Sequence, residues 1–250
     1  PAGLEAARVA AERGHSVTLY EKKGSVGGLL EFANNVKGPH ENLSVLRSYF
    51  ERQMEVLGVN VMLNTEATAD IIAEAAPDIV IAATGGVRDT LGLSDTAGTK
   101  VVGIDDFMMA DIAEEVVIVG SNVQAIDAAM YLLAQGKHVQ VVTPNAASAI
   151  GAGHSFWVKT FTQPNMKALG VRFWPEATVT AVNDGSVTVK TATGIEQEIA
   201  CGTVVEALDC LPNDNLSTGL SCEVVTVGDA ARPFNIGEAI CSGNAAARAI

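Results

Sequence analysis

Long apolar runs are missing from this sequence of 250 residues. No stretch approaches the ~18 consecutive apolar residues that a membrane-spanning helix needs, so no membrane partner is expected. Positive charge is scarce: 16 Lys and Arg against 29 Asp and Glu leave a net charge of −13. That sign repels nucleic-acid backbones and anionic headgroups, which excludes nucleic acid as the natural partner. Cysteine is sparse too, and Cys201, Cys210, Cys222 and Cys241 show no C-x-x-C spacing. The spacing argues against a disulfide framework, a zinc site or an iron–sulfur site within these residues. It suits the ordinary thiols of a cytoplasmic protein. The chain opens Pro1-Ala2-Gly3, with neither Met nor a basic-then-apolar leader. It starts inside a motif, so it is expected to be a fragment of a longer polypeptide.

What is present is apolar residue and glycine, at 48% hydrophobic with 24 Gly, a composition suited to alternating strands and helices. Two stretches match without gaps, and their helix-ending glycines, Gly14 and Gly136, lie 122 residues apart. The first runs from Gly3-Leu4-Glu5-Ala6-Ala7 to Val17-Thr18-Leu19-Tyr20-Glu21. The second runs from Ala125-Ile126-Asp127-Ala128-Ala129 to Val139-Gln140-Val141-Val142-Thr143. Each reads as a helix, a glycine stop and a buried strand. The second copy also shows the preceding strand Val116–Val119 and the turn Gly120-Ser121-Asn122, completing a βαβ unit. By the offset, the matching strand of the first copy is expected ahead of residue 1.

Further elements follow from the pattern. Leu46, Phe50 and Met54 mark a helix over 44–57, and strands are expected at 59–63 and 78–83. Residues 87–115 read as a connector. A helix is expected over 161–169, a strand over 171–174, and a hairpin pairing 186–191 with 196–201 beyond Asn183-Asp184-Gly185. A last strand at 223–227 leads to an Ala-rich helix. The order gives an α/β fold of two doubly wound units, one inserted in the other, with the first strand missing. The expected domains are 1–95 with 220–250, and the insert 96–219.

In a dinucleotide fold, a G-x-G-x-x-G turn brings backbone close to pyrophosphate at a helix N-terminus. Pro1, Ala2 and Gly3 supply the final x-x-G. Eighteen residues past Gly3, Glu21 ends the next strand, where an acid bonds the ribose hydroxyls; alone, such an acid is a solvated charge. Gly24 and the pair Gly27-Gly28 follow it, open to use as a simple turn or as a close backbone approach to a cofactor.

The motifs Pro1-Ala2-Gly3-Leu4-Glu5-Ala6-Ala7, Tyr20-Glu21-Lys22, Gly27-Gly28-Leu29-Leu30, Ala83-Thr84-Gly85 and Gly228-Asp229-Ala230-Ala231 resemble those of flavoproteins with two nucleotide domains. The tail from Ile236-Gly237-Glu238-Ala239-Ile240 to Gly243 and Ala246-Ala247 is similar to the C-terminal region of the iron–sulfur flavoenzymes related to old yellow enzyme. That group includes 2,4-dienoyl-CoA reductase, 2-enoate reductase and trimethylamine dehydrogenase. The resemblance implies two Rossmann-like, three-layer units and an FAD relaying electrons from NADH or NADPH. It also implies an N-terminal barrel domain of the same polypeptide, with FMN and a 4Fe-4S cluster, outside these residues.

Carried over by motif, Ala2 and Gly3 would meet the pyrophosphate and Glu21, beside Lys22, the ribose. Gly28 and Leu29 would lead toward the flavin, with Ala83, Thr84 and Gly85 beneath the cofactor. Gly228 and Asp229 would reach the ribitol, and Ile236 and Gly237 would open the helix facing the flavin. Ala67 joins the FAD set. Without the resemblance, Asp229 reads as a turn or cap acid.

The second fingerprint, Gly120-Ser121-Asn122-Val123-Gln124-Ala125, departs from the pattern. Asn122 replaces a glycine that lets backbone meet pyrophosphate, and Thr143 stands where an acid selects NAD. No Arg or Lys follows before Lys159, and Asp209 stands where such families usually carry glycine. Two readings stay open. In one, Gly120, Ser121, Asn122 and Ala125 form a working NAD(P) site, with the Ser121 and Asn122 side chains on the phosphates. In the other, the fold persists without its cofactor, as in a non-catalytic FAD- or ADP-holding domain. Another flavoprotein with two dinucleotide domains is a further alternative, although a thioredoxin-reductase-like enzyme would need the absent C-x-x-C. His15, His40, His138 and His154 are expected at the surface, with His154 also placed to face a nicotinamide. Trp157 and Trp174 are expected to fill core or interface.

Overall fold

The computed structural model describes residues 1–38, 42–213, 215–216 and 220–250, with backbone alone at 157 and 158. His40 and the Trp157 side chain lie outside the described residues. In chain order the elements begin with α1 (Ala2–Glu12), β1 (Thr18–Tyr20), α2 (Leu29–Lys37), α3 (Leu43–Val56) and β2 (Asn60–Met62). Next come α4 (Ala69–Ala75), β3 (Ile79–Ala82), β4 (Val87–Arg88), β5 (Lys100–Gly103), β6 (Glu115–Val119), α5 (Val123–Ala134) and β7 (His138–Val142). Then follow α6 (Phe156–Ala168), β8 (Arg172–Trp174), β9 (Ala177–Asn183), β10 (Ser186–Thr191) and β11 (Glu196–Ala200). The last are β12 (Thr203–Glu206), β13 (Cys210–Leu211), β14 (Glu223–Thr226) and α7 (Ile236–Ala249). The chain divides into unit 1, Pro1–Val87 with Cys210–Ile250, and unit 2, Arg88–Asp209.

Unit 2 is built on β6, whose continuous Val116-Val117-Ile118-Val119 run is buried throughout, as a central parallel strand requires. It lies mid-sheet in the parallel order β5-β12-β6-β7-β8. Successive side chains point to opposite faces. Val117 and Val119 pack with Val179, Val187, Val189 and Ile199 of the antiparallel meander β11-β10-β9. α5 packs against β6 and β7 with Ala125, Ile126, Ala128, Ala129 and Leu132 buried. The connector expected over 87–115 contains β5, which pairs in parallel with β12. An edge strand of four residues carries almost no periodicity of its own, so the pairing becomes visible only in the fold. The helix expected from 161 starts at Phe156. Its Phe156 and Phe161 are exposed and Pro164 lies inside it, so neither the apolar spacing nor the usual proline boundary marked its start.

In unit 1 the repeat places α1 and β1 where α5 and β7 stand in unit 2. Its strands include two separate parallel pairs, β1 with β2 and β3 with β14. The place that β6 takes ahead of the repeated helix is filled by no described residue of unit 1. α1 buries Leu4 and Ala7 against Phe50 and Met54 of α3, and Ala6, Val9 and Ala10 against Ala247 of α7. The crossing with α7 is close because the residues are small. A Cβ added at Gly243 would come 2.2 Å from the Ala2 carbonyl oxygen, against backbone that cannot yield. A polar cluster flanks this contact. Glu5, itself 6% exposed, takes both Nε and Nη2 of Arg8 at 2.8 Å and the Asn244 amide of α7 at 2.6 Å. Burial alone would raise the Glu5 carboxyl, but the Arg8 fork and Asn244 hold it below the ordinary carboxylate range.

Two stability measurements follow from this crossing. Gly243→Ala is expected to cost about 1–3 kcal/mol through overpacking; an unshifted thermal midpoint would contradict the close approach. Glu5 is depressed in the folded state, so its contribution is present above the unfolded carboxylate value and is lost as pH falls through the folded one. Glu5→Gln should therefore destabilise by on the order of 1–3 kcal/mol at neutral pH. The gap to the parent should close as the buffer is taken below about pH 4. Urea midpoints at the two pH values check this, and a gap that stays constant refutes it.

Candidate functional site

The first site of interest is the N-terminal turn of α1. Its N-cap position is Pro1, and among the described residues no side chain caps the turn, so its leading N–H groups have no side-chain acceptor there, the arrangement that suits an anion. Gly3 lets the helix settle on β3: a Cβ there would lie 3.0 Å from that of Ala83. Gly228 adopts φ +62°, and a Cβ there would lie 2.7 Å from that of Ala2. The Gly228 N–H is fixed by the Ser242 hydroxyl at 2.9 Å.

Two carboxylates converge on this turn. Asp229 and then Glu21 interact electrostatically with the Pro1 nitrogen, which sets both acids around the start of α1. Glu21 leaves β1 with its backbone tied to Met62 and Thr65, and one carboxylate oxygen accepts from the Lys23 N–H at 2.9 Å. One Asp229 oxygen accepts from the Phe234 N–H at 3.4 Å. Gly86 joins the neighbouring pieces: a Cβ there would meet Cys210 Sγ at 2.3 Å, the Leu211 oxygen at 2.7 Å and the Asp229 oxygen at 3.3 Å. Two further candidate glycines are open. Gly28, the N-cap position of α2, and Gly85 have positive φ, and space for a Cβ within 4 Å is free at both. Lys22, Thr84 and Gly237 are exposed, while Leu29, Ala83 and Ile236 are half-buried. Ala67 is half-buried just ahead of Thr68, the N-cap of α4.

Sequence reasoning missed Ser242, Gly86 and Asn235. The Asn235 side chain caps α7 by accepting from the Glu238 N–H at 2.9 Å. An Asn three residues ahead of Glu is a capping signal that could have found it; nothing in the sequence marks Ser242.

The second site of interest is the turn between β6 and α5, and its donors and acceptors are turned inward. Asn122 Oδ1 accepts from the Ala125 N–H at 3.0 Å. Its Nδ2 reaches the carbonyl oxygens of Ala207 and Leu208 at 3.1 and 3.2 Å and Asp209 Oδ1 at 3.2 Å. Ser121 is buried, and its hydroxyl accepts from Thr143 Oγ1 at 3.0 Å and Asn145 Nδ2 at 3.1 Å. Thr143, in the position of a ribose-binding acid, is fully buried. Gly120, at φ +138°, packs so tightly that a Cβ would lie 2.1 Å from the Ala207 oxygen. Ala125 is buried in the helix.

The histidines divide. His15 is exposed, and exposed His138 lies 2.7 Å from Glu115, whose hydrogen bond raises its pKa. The surface expectation for His154 is overturned: its side chain is 10% exposed, with Nε2 3.5 Å from Asp127 Oδ1. Gly151 and Gly153, at φ +73° and +96°, fold the loop back onto α5 and carry the ring with it. Trp174 is half-buried, donating to Gln140 at 2.9 Å. The buried Cys201 thiol is pushed up to about 11 by desolvation, which makes it unreactive. Lys159 donates to the Ser148 carbonyl.

Among the described residues no helix is long and apolar enough to cross a membrane. The family model described as "Pyridine nucleotide-disulphide oxidoreductase" matches residues 1–229. Cinnamate reductase of Clostridium sporogenes is 37% identical over 143 residues, 56% of this chain and 21% of that protein. NADH oxidase of Thermoanaerobacter brockii is 36% identical over 148 residues, 57% and 23% of the two chains. Among solved structures, a 2-naphthoyl-CoA reductase superposes with a TM-score of 0.86 at 32% identity, covering 98% of this chain and 37% of that one. Histamine dehydrogenase from Rhizobium sp. 4-9 gives 0.83 at 23% identity, covering 100% and 42%, a likeness of fold. The chain thus spans less than half the length of these relatives. Family members bind FAD and pyridine nucleotides. With two Rossmann-like units on one chain and the model matched across both, the chain belongs to the pyridine nucleotide-disulphide oxidoreductase family, among the flavoenzymes related to old yellow enzyme.

Proposed function

We propose that this chain is the FAD-binding electron-relay module of a larger oxidoreductase of the enoate- or dienoyl-reductase kind. Its substrate site, FMN barrel and 4Fe-4S cluster would lie in polypeptide outside these residues. The observation that carries the reading is the N-terminal turn of α1, capped by no side chain among the described residues and flanked by Glu21 and Asp229. The residues fit the cofactor. Open N–H groups suit a pyrophosphate, and two carboxylates suit hydroxyl-rich ribose and ribitol. Open backbone at Gly28 and Gly85 admits a close ligand. When bound, FAD supplies an electron carrier able to exchange electrons in pairs and singly. The protein's own part is to orient it: Ala2 and Gly3 at the pyrophosphate, Glu21 at the ribose, Gly228 and Asp229 at the ribitol. The resemblance adds Lys22, Gly28, Leu29, Ala67, Ala83, Thr84, Gly85, Ile236 and Gly237 to the residues that would surround it.

A nicotinamide donor, NADH or NADPH, is suggested by the family and by the name of the NADH oxidase relative. A second reading, in which unit 1 holds its nucleotide without receiving hydride through unit 2, is favoured by the inward bonds of Asn122.

Flavin analysis of the full-length protein tests the main reading. FAD should be found in it, and Glu21→Ala and Asp229→Ala should each weaken FAD binding roughly tenfold to a hundredfold, the loss of charge-assisted hydrogen bonds. A full-length protein that neither retains nor takes up FAD sinks the proposal.

A further inference from the structure

We infer that the dinucleotide crevice of unit 2 is closed by its own side chains, with Asn122 as the bolt, so that unit 2 takes up neither NAD(H) nor NADP(H). The inference rests on the family reading only for where a nicotinamide nucleotide would otherwise enter; it takes the second reading above in place of a nicotinamide donor at unit 2 and leaves the FAD reading of unit 1 as it stands.

In a doubly wound sheet the ligand enters outside the carboxyl ends of the strands where the order reverses. In unit 2 the chain leaves β6 through α5 for β7 on one side, and β12 lies on the other. The reversal therefore falls between β6 and β12, whose ends lead into Gly120-Ser121-Asn122 and Ala207-Leu208-Asp209. The Asn122 amide spans that gap, held at 3.1 to 3.2 Å by two carbonyl oxygens and the Asp209 carboxylate. Its carbonyl end meanwhile takes the Ala125 N–H, one of the donors a pyrophosphate would use.

Three further features close the same place. The Ser121 hydroxyl, which could otherwise meet a phosphate, sits inside a bonded group with Thr143 and Asn145. The loop after β7 lies along the turn: the Gly151 N–H donates to the Ser121 carbonyl at 2.7 Å, and Ala152 pairs with Asn122 as a parallel bridge. Finally, exposed Asp209 places a carboxylate at the mouth, where a pyrophosphate would meet a like charge. A nucleotide would have to break the bolt and the loop pairing and then sit beside an anion.

The test is calorimetric titration of the full-length protein, as purified and after incubation with FAD, with NADH, NADPH and ADP-ribose. The parent should show no saturation up to about 1 mM with any of them. Asn122→Gly/Asp209→Gly, which restores a bare turn and removes the carboxylate, should bind one of them at least tenfold more tightly, about 1.4 kcal/mol. Asn122→Ser keeps an oxygen to cap Ala125 while dropping the bridging amide. It should show a smaller gain and serves if the double variant does not fold by circular dichroism. Saturation of the parent below about 1 mM overturns the inference, and so does a folded variant that binds no better. FAD content measured in the same samples reports separately on the flavin reading: protein that lacks FAD and still refuses NADH overturns that reading and leaves the closed crevice standing.

Discussion

The approach of the first turn of α1 to its neighbours is the constraint on which unit 1 depends. Ala2 and Gly3 lie against Ala83, Gly228 and Gly243, with no room for one more carbon at Gly228 or Gly243 and a tight fit at Gly3. This packing does two things together. It buries the helix deeply enough to join its clusters with α3 and α7, and it holds the loops after β3 and β14 at the N-terminus of α1. Asp229 and the Thr84-Gly85 bend therefore arrive beside the open N–H groups because the backbone cannot stand further off. A site of this kind is made from small residues first and acids second.

Unit 2 uses the same strand, turn, helix and strand for a different end. Its helix is also buried by small residues, and its turn also depends on a glycine pressed on neighbouring backbone. The difference lies at one side chain. Where α1 presents uncapped donors, α5 is capped by Asn122, and the same amide ties the turn to the end of β12. Two helices related by an internal repeat thus differ in the chemistry they offer, one open to an anion and one already satisfied.

Much of this was legible in the sequence, because the features that carry the fold are local. Val116–Val119 reads as a buried strand by composition, Gly14 and Gly136 as helix stops, and the match between the two copies needs no structure. The elements that escaped are those whose reason is remote. β5 exists because β12 is available to pair with it, about a hundred residues on. The start of α6 is hidden by exposed phenylalanines, and α2 begins at Gly28, which the sequence reads as a turn or a close approach to a cofactor without marking a helix. The candidate sites show the same division. Glu21 and Asp229 could be named from spacing and resemblance. The burial of His154 depends on two glycines folding a loop back, and the employment of Ser121 depends on Thr143 and Asn145 reaching it, neither of which spacing records.

The Asn122 bolt also bears on how a nucleotide fold can persist without a nucleotide. A helix that has lost its phosphate keeps orphan N–H groups in a partly buried turn, and each costs free energy if no acceptor replaces the lost one. An asparagine side chain carries both halves of the remedy, an acceptor for the helix and two donors for the facing carbonyls. Glycine, which a bound pyrophosphate favours, offers neither, and serine offers the acceptor with a single, shorter donor. The residue least suited to admitting the ligand is thus the one that best replaces its hydrogen bonds. On the closed-crevice inference, the bonding of one side chain would separate the stability of this fold from occupancy of its crevice.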